Sequence, residues 1–117
     1  MLFRSSTTIL HFDGTAWSAW TDPTGATVYG GGLTGVYAGA DGTTCVVGDA
    51  GVRLRIPASG AHSEEIPGAT DPDLHAVWCD ADDAIVAVGG NYLDSDPAAR
   101  QGAILHRGCP LSRTGLP

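Results

Sequence analysis

The 117-residue chain contains no lysine. Its six bases are all arginine, spread over positions 4, 53, 55, 100, 107 and 113, against 13 acids, and the formal charge is −7. Such a chain lacks the clustered basic footprint that phosphate neutralisation requires, which argues against nucleic acid as a partner. Anionic membrane surfaces are disfavoured on the same ground. No apolar run approaches the roughly 20 residues of a bilayer-spanning helix, so no membrane span is expected. The three cysteines, Cys45, Cys79 and Cys109, include no C-x-x-C pair, and neither a zinc site nor a thioredoxin-like motif is supported. An odd count leaves at least one thiol without an internal partner. A Cys45–Cys79 bridge stays open beside the alternative that Cys45 packs in a strand as a small hydrophobe. Residues 1–6 carry no signal-peptide hydrophobic region.

Catalytic signatures are missing as well. There is no G-x-S-x-G elbow and no paired-histidine helix spacing. Gly30-Gly31-Gly32 precedes a strand rather than a helix, and reads as an inter-repeat link rather than a phosphate cradle. Glu64 and Glu65 are adjacent and would point to opposite faces of a strand, whereas glycoside hydrolysis needs two facing carboxylates. These patterns give no catalytic residue, no metal site and no cofactor.

What the chain does have is punctuation and repetition. Hydrophobic residues make up 43 % of it, enough to argue against disorder, and 17 glycines and 7 prolines suit short strands joined by tight turns. Leu33-Thr34-Gly35-Val36-Tyr37 returns as Leu74-His75-Ala76-Val77-Trp78, and Val46-Val47-Gly48 returns as Ala87-Val88-Gly89, both at an offset of 41. Across 33–48 and 74–89, Leu33, Val36, Ala40, Asp41, Val47 and Gly48 recur identically, where chance would give about one or two matches. A period near forty residues built of short strands is the pattern of β-propeller blades.

The fold expected is all-β: a partial β-propeller built of four-stranded antiparallel blades, with roughly nine strands. Residues 1–32 form a partial blade of outer strands. Residues 33–70 form a complete blade, and 71–108 a blade lacking its outer strand, with a loop insertion at 90–101. Residues 109–117 form an irregular tail. Asp13-Gly14 and Asp41-Gly42 are hairpin signals. The runs 45–47 and 84–88 do not alternate with polar residues, so both are expected to be covered on two faces.

Ile9-Leu10-His11-Phe12-Asp13-Gly14-Thr15-Ala16-Trp17, Leu33-Thr34-Gly35-Val36-Tyr37 and Val46-Val47-Gly48-Asp49-Ala50-Gly51 resemble the blade repeats of bacterial, myxobacterial-type β-propellers. The resemblance covers most of residues 7–108. It implies non-catalytic recognition domains and a secreted or cell-envelope location. Three features depart from it: Arg53-Leu54-Arg55 stands where the repeat has isoleucine-leucine-histidine, no Asp-Gly follows Ile56, and the length gives only about two and a half blades where a closed ring needs about four to eight, so a fragment of a ring is expected. Residues 13–17 are also similar to the Asp-box turn of sialidase-like propellers, one residue short.

The candidate site is the segment without a repeat counterpart, 90–101. Asn91, Tyr92, Asp94, Asp96 and Arg100 offer an aromatic face, acceptors and a guanidinium fork suited to a sugar or another polar ligand. The plainer reading is a solvated surface loop. Asp71, Asp73, Asp80, Asp82 and Asp83 crowd together, which suggests calcium, but turn chemistry explains them more simply. His11 and His106 recur at equivalent positions and read as structural; His62 falls in a connector and His75 begins a strand. Trp17, Trp20, Tyr37 and Trp78 read as filling between blades rather than as sugar platforms. The expected function is a non-enzymatic recognition or scaffold module binding a protein or a glycan. Other blades or self-association would cover its faces. The alternative is part of a sialidase-like glycoside hydrolase whose catalytic residues lie outside this chain.

Overall fold

The computed structural model describes residues 8–27, 32–67, 71–80, 84–91 and 94–108. It is all-β. Nine strands, β1 (Leu10–Phe12), β2 (Trp17–Ala19), β3 (Leu33–Ala38), β4 (Thr44–Gly48), β5 (Arg53–Ile56), β6 (Ser63–Glu65), β7 (Leu74–Cys79), β8 (Ile85–Gly90) and β9 (Gly102–Arg107), form three antiparallel sheets among the described residues. The first sheet is β1-β2, the central one β3-β4-β5-β6 and the third β7-β8-β9, each in simple sequence order. Among the described residues no helix is long and apolar enough to cross a membrane.

Local chemistry accounts for the turns. In the β1–β2 link the Asp13 carboxylate accepts the N–H groups of Thr15 and Ala16, and Gly14 takes the left-handed φ of 99° that the turn demands. In the β3–β4 link Asp41 accepts the Thr43 N–H, and Gly42 sits at φ 87°.

The sheets stack face to face. Val46, Val52, Leu54 and Ile56 of the central sheet bury against Ile9 and Trp20 of the first. On the opposite face, Cys45 and Val47 bury against Leu74, Cys79, Ile85 and Ala87 of the third. Residues 45–47 of β4 are therefore covered on both faces, as their unbroken apolar run implies. β8 departs from that expectation. Ile85 and Ala87 are buried against the central sheet, but Val86 is only half-buried and Val88 is 43 % exposed. Among the described residues no sheet lies on their side.

The 41-residue repeat is also a repeat of hydrogen bonds. Asp49 N–H donates to Gly32 O at 2.9 Å, and its counterpart Gly90 N–H donates to Asp73 O at 2.8 Å. The recurring glycine has a steric cause. A Cβ on Gly48 would overlap the Gly32 carbonyl, and one on Gly89 the Asp73 carbonyl, because the preceding strand folds over each. Gly35 has a different cause: β3 crosses β7 so closely that a Cβ there would lie 2.5 Å from His75 O.

Two expectations change. Cys45 is buried, but as half of a Cys45–Cys79 disulfide that joins the central and third sheets, not as a free hydrophobe. Trp17, expected between blades, is 68 % exposed on an outer face of the stack. Trp78, 41 % exposed, does meet the neighbouring sheet, its ring centroid 6.3 Å from that of Tyr37. Cys79 is the last residue of β7. Gly30, Gly31 and the tail 109–117, with Cys109, lie outside the described residues.

Candidate functional site

Three connections converge at one end of the central and third sheets. They are the 49–51 turn between β4 and β5, residues 71–73 leading into β7, and the long 91–101 link between β8 and β9. Asp73 binds two of them together: its carboxylate accepts the Ala50 N–H at 2.8 Å and its carbonyl accepts the Gly90 N–H. The first of these bonds holds Ala50 in left-handed backbone (φ 54°), a conformation that costs an L-residue about 1–2 kcal/mol.

The insertion starts one residue later than its sequence boundary, because Gly90 pairs with Gly102 at the end of the β8–β9 ladder. Its polar side chains shape the loop itself. Asn91 donates through Nδ2 to Ala99 O at 2.8 Å and accepts the Gln101 N–H at 2.6 Å, closing the neck of the loop. Asp94 accepts the Asp96 N–H. Asp96 caps the 3₁₀ turn Pro97–Ala99 by accepting the Ala98 N–H, with proline in the first helical position, where its missing N–H costs nothing. Arg100 donates Nε to Asp94 O at 2.8 Å. Of the five candidate ligand residues, then, Asn91, Asp94, Asp96 and Arg100 are brought together by hydrogen bonds that order one loop. Tyr92 lies outside the described residues.

The opening lies beside the neck. A cleft of about 360 Å³ runs between Asn91, Gln101 and Gly102 on one wall and Asp71, Pro72 and Asp73 on the other. A second hollow of about 400 Å³ shares Asp71, Pro72 and Ala103 with it and continues towards Arg53 and Gly51 of the central sheet. The Asp71 carboxylate takes no hydrogen bond among the described residues. With the Gln101 amide and exposed backbone, it makes a lining that suits hydroxyl or amide groups of a ligand. Asp71 and Gln101 were not singled out from the sequence for this role. The signal was present in the offset of 41, which places Asp73 opposite Gly32, at the entry to a repeat, and so beside the β8–β9 link.

The crowd of acids does not assemble. β7 separates Asp71 and Asp73 from Asp80, which turns away to cap the 80–84 link by accepting the Ala84 N–H. Asp82 and Asp83 lie outside the described residues. Among the described residues no three His, Cys, Asp or Glu side chains are grouped as metal ligands.

The remaining polar contacts join sheets. Glu65 accepts Arg53 at 2.6 Å and also Arg107 of the third sheet. Arg55 reaches the Asp80 carbonyl, and the Thr34 hydroxyl the Leu74 carbonyl. The junction of the first and central sheets is a buried pair, Asp22 and His62, with the ring Nδ1 2.5 Å from Asp22 Oδ2. Asp22 also accepts the His62 N–H at 2.8 Å and the Thr24 hydroxyl at 2.5 Å, and Trp20 stands edge-on to the imidazole. His62, read as a connector residue, is thus a buried staple. The two partners are 40 residues apart and share no periodicity, so no pattern in the sequence linked them.

The His62 N–H, then the Thr24 hydroxyl, then the His62 ring hold the Asp22 carboxyl far below the usual carboxylate range. Arg53 and then Arg107 hold Glu65 below its ordinary value. Both folded values are depressed. Each group therefore contributes stability that is in place above the unfolded carboxylate pKa of about 4 and is lost as pH falls below it. The urea midpoint is expected to hold steady from pH 7 to 5 and to drop steeply towards pH 3. Asp22→Asn should flatten part of that drop. An unchanged acid profile in the variant would show that Asp22 does not carry it.

Comparison of the chain with protein-family models, with curated proteins and with solved structures finds no match.

Proposed function

We propose that the chain is a non-enzymatic β-propeller-type recognition or scaffold module, which presents the cleft beside the 91–101 loop to a protein or glycan ligand. Two features support the propeller reading. The sheets are up-and-down meanders in sequence order, and repeat-equivalent residues meet the next sheet in the same sense each time. The observation that carries the recognition reading is the position of the insertion. The one long departure from the repeat stands at the end where the inter-sheet links gather, and a cleft opens against it. A loop held by its own hydrogen bonds suits binding, because part of its ordering cost is met before the ligand arrives.

The acids of this chain serve the fold, and the hydrolase alternative draws its catalytic residues from outside the chain. Glu65 is engaged by two arginines, Glu64 lies 3.8 Å from His62 on the other face of β6, and Asp94 and Asp96 hold turns. The buried disulfide supports an oxidising compartment, and with it the secreted or cell-envelope location.

Glycan and peptide arrays test the reading. The chain is expected to be retained on one ligand class and to release nothing from chromogenic glycosides. Replacing 91–101 by Asp-Ala-Gly, the link used between β4 and β5, should abolish retention while the circular dichroism spectrum stays native. Retention unaffected by the graft would remove the loop from the site, and turnover of a glycoside would overturn the non-enzymatic reading.

A further inference from the structure

The two outer faces of the stack are repeat copies of faces that are buried inside it. With β4 and β8 aligned at the offset of 41, the β4–β5 and β8–β9 registers superimpose, the inserted loop widening the offset to 51 in β5 and β9, so that Val47 pairs with Val88, Cys45 with Val86, Arg53 with Ile104 and Arg55 with His106. On the central sheet this face is covered by the third sheet, and Cys45 and Val47 are each 0 % exposed. On the third sheet no sheet of the described residues covers it, and Val88 is 43 % and Ile104 80 % exposed. The same holds at the other end. Leu54 faces the first sheet and is 1 % exposed, and Leu105 packs half-buried against the central sheet. Their counterpart Leu10, aligned through the shared Ile-Leu-His, is 59 % exposed beside Phe12 (47 %) and Trp17 (68 %). One sequence position is thus sealed where a neighbouring sheet exists and open where none does.

The two open faces are of opposite type. The third sheet presents the face that receives a following sheet, and the first presents the outer-strand part, aligned with β9, of the face that packs on a preceding one. We infer that the occupant is a second copy of this chain, with the third sheet of each copy packed head-to-tail on the first sheet of the other. The inference rests on the propeller reading. A heterologous contact of this kind either closes a ring or grows without limit. Counted over the described residues, two copies bring three sheets each, the first of them partial, six in all, within the range of about four to eight blades that rings adopt, whereas three copies exceed it. The assembly is therefore a closed dimer with two identical junctions. Closure also removes the exposed apolar faces, which would otherwise favour open-ended association.

The test is a complementation experiment on the whole chain, read by light scattering after size exclusion. Wild type is expected at twice the 11.9 kDa chain mass. Ile104→Lys places a charge on one face and Trp17→Glu on the other. Both positions are exposed within the chain, so near-native circular dichroism should persist while each variant alone runs as a monomer. Mixing the two variants restores one junction of wild-type character and should return dimer. A well-folded wild-type monomer across the micromolar range overturns the inference. So does a Trp17→Glu variant that stays dimeric while Ile104→Lys does not, since that result means a face-to-face contact of two third sheets. Array retention by the monomeric variants is read in parallel. A monomeric wild type that still retains its ligand defeats the dimer and spares the recognition reading, and a dimer with no ligand does the reverse.

Discussion

Removing the Cys45–Cys79 disulfide is expected to lower the unfolding free energy by about 3–4 kcal/mol, the loss associated with opening a closed loop of this size. The bridge spans 34 residues and joins β4 to β7, strands of different sheets. In the unfolded chain it withholds the freedom of that whole segment, while in the folded chain it only records an approach that the packing already makes. The variant that isolates the cross-link can be drawn from the chain's own repeat. Val86 occupies the position equivalent to Cys45, and Ala38 the position equivalent to Cys79. Cys45→Val with Cys79→Ala therefore keeps residues that the architecture already accepts. Urea denaturation should show a midpoint shifted strongly downward, equal to the shift produced in wild type by a thiol reductant. Thiol labelling of the denatured protein should rise by two groups on reduction. A midpoint unmoved by reductant would mean that the two sulfurs are not joined. A shift in the double variant but not under reductant would place the cost in packing.

Leu54→Ala is expected to cost about 2–5 kcal/mol, the range for emptying a buried leucine site. Leu54 is 1 % exposed, in the cluster with Val46, Val52 and Ile56 that holds the first sheet on the central one. The informative comparison is Leu10→Ala, the same substitution at the repeat-equivalent position. In a background that cannot associate, Ile104→Lys, Leu10 keeps its 59 % exposure, and its loss should stay within about 0.5 kcal/mol. In the wild-type background the same change should weaken the dimer, seen as a monomer fraction that grows on dilution. Equal costs for the two leucines in the monomeric background would mean that the first sheet does not cover Leu54, and the stacking order of the three sheets would fall.

The all-β architecture was legible because its signals are local. Asp13-Gly14 and Asp41-Gly42 bend the chain through their own side-chain and φ preferences, and the Val-Gly of each repeat marks a strand end where another backbone passes over it. The candidate loop was legible for a related reason, since 90–101 interrupts a repeat that is otherwise regular. Its residues were assigned to a ligand because Asn, Asp and Arg supply binding groups. The same groups satisfy backbone donors and acceptors within a loop, and here Asn91, Asp94, Asp96 and Arg100 do so. Composition cannot distinguish the two uses, because both draw on the same hydrogen-bonding capacity.

Periodicity and turn chemistry act over a few residues, so the order of residues alone settled where strands lie to within a residue or two, which positions repeat, and that each sheet needs cover. Which positions receive that cover depends on neighbours some forty residues away. Val47 and Val88 occupy one repeat position, yet one is sealed and the other is open. Trp17 has the character of a core residue and lies on the outside, while Trp78 meets Tyr37 of the next sheet. Asp22 finds His62, and Cys45 finds Cys79, only once the sheets have stacked. Burial belongs to the assembled stack and not to the repeat, because a side chain leaves water only where a second surface meets it.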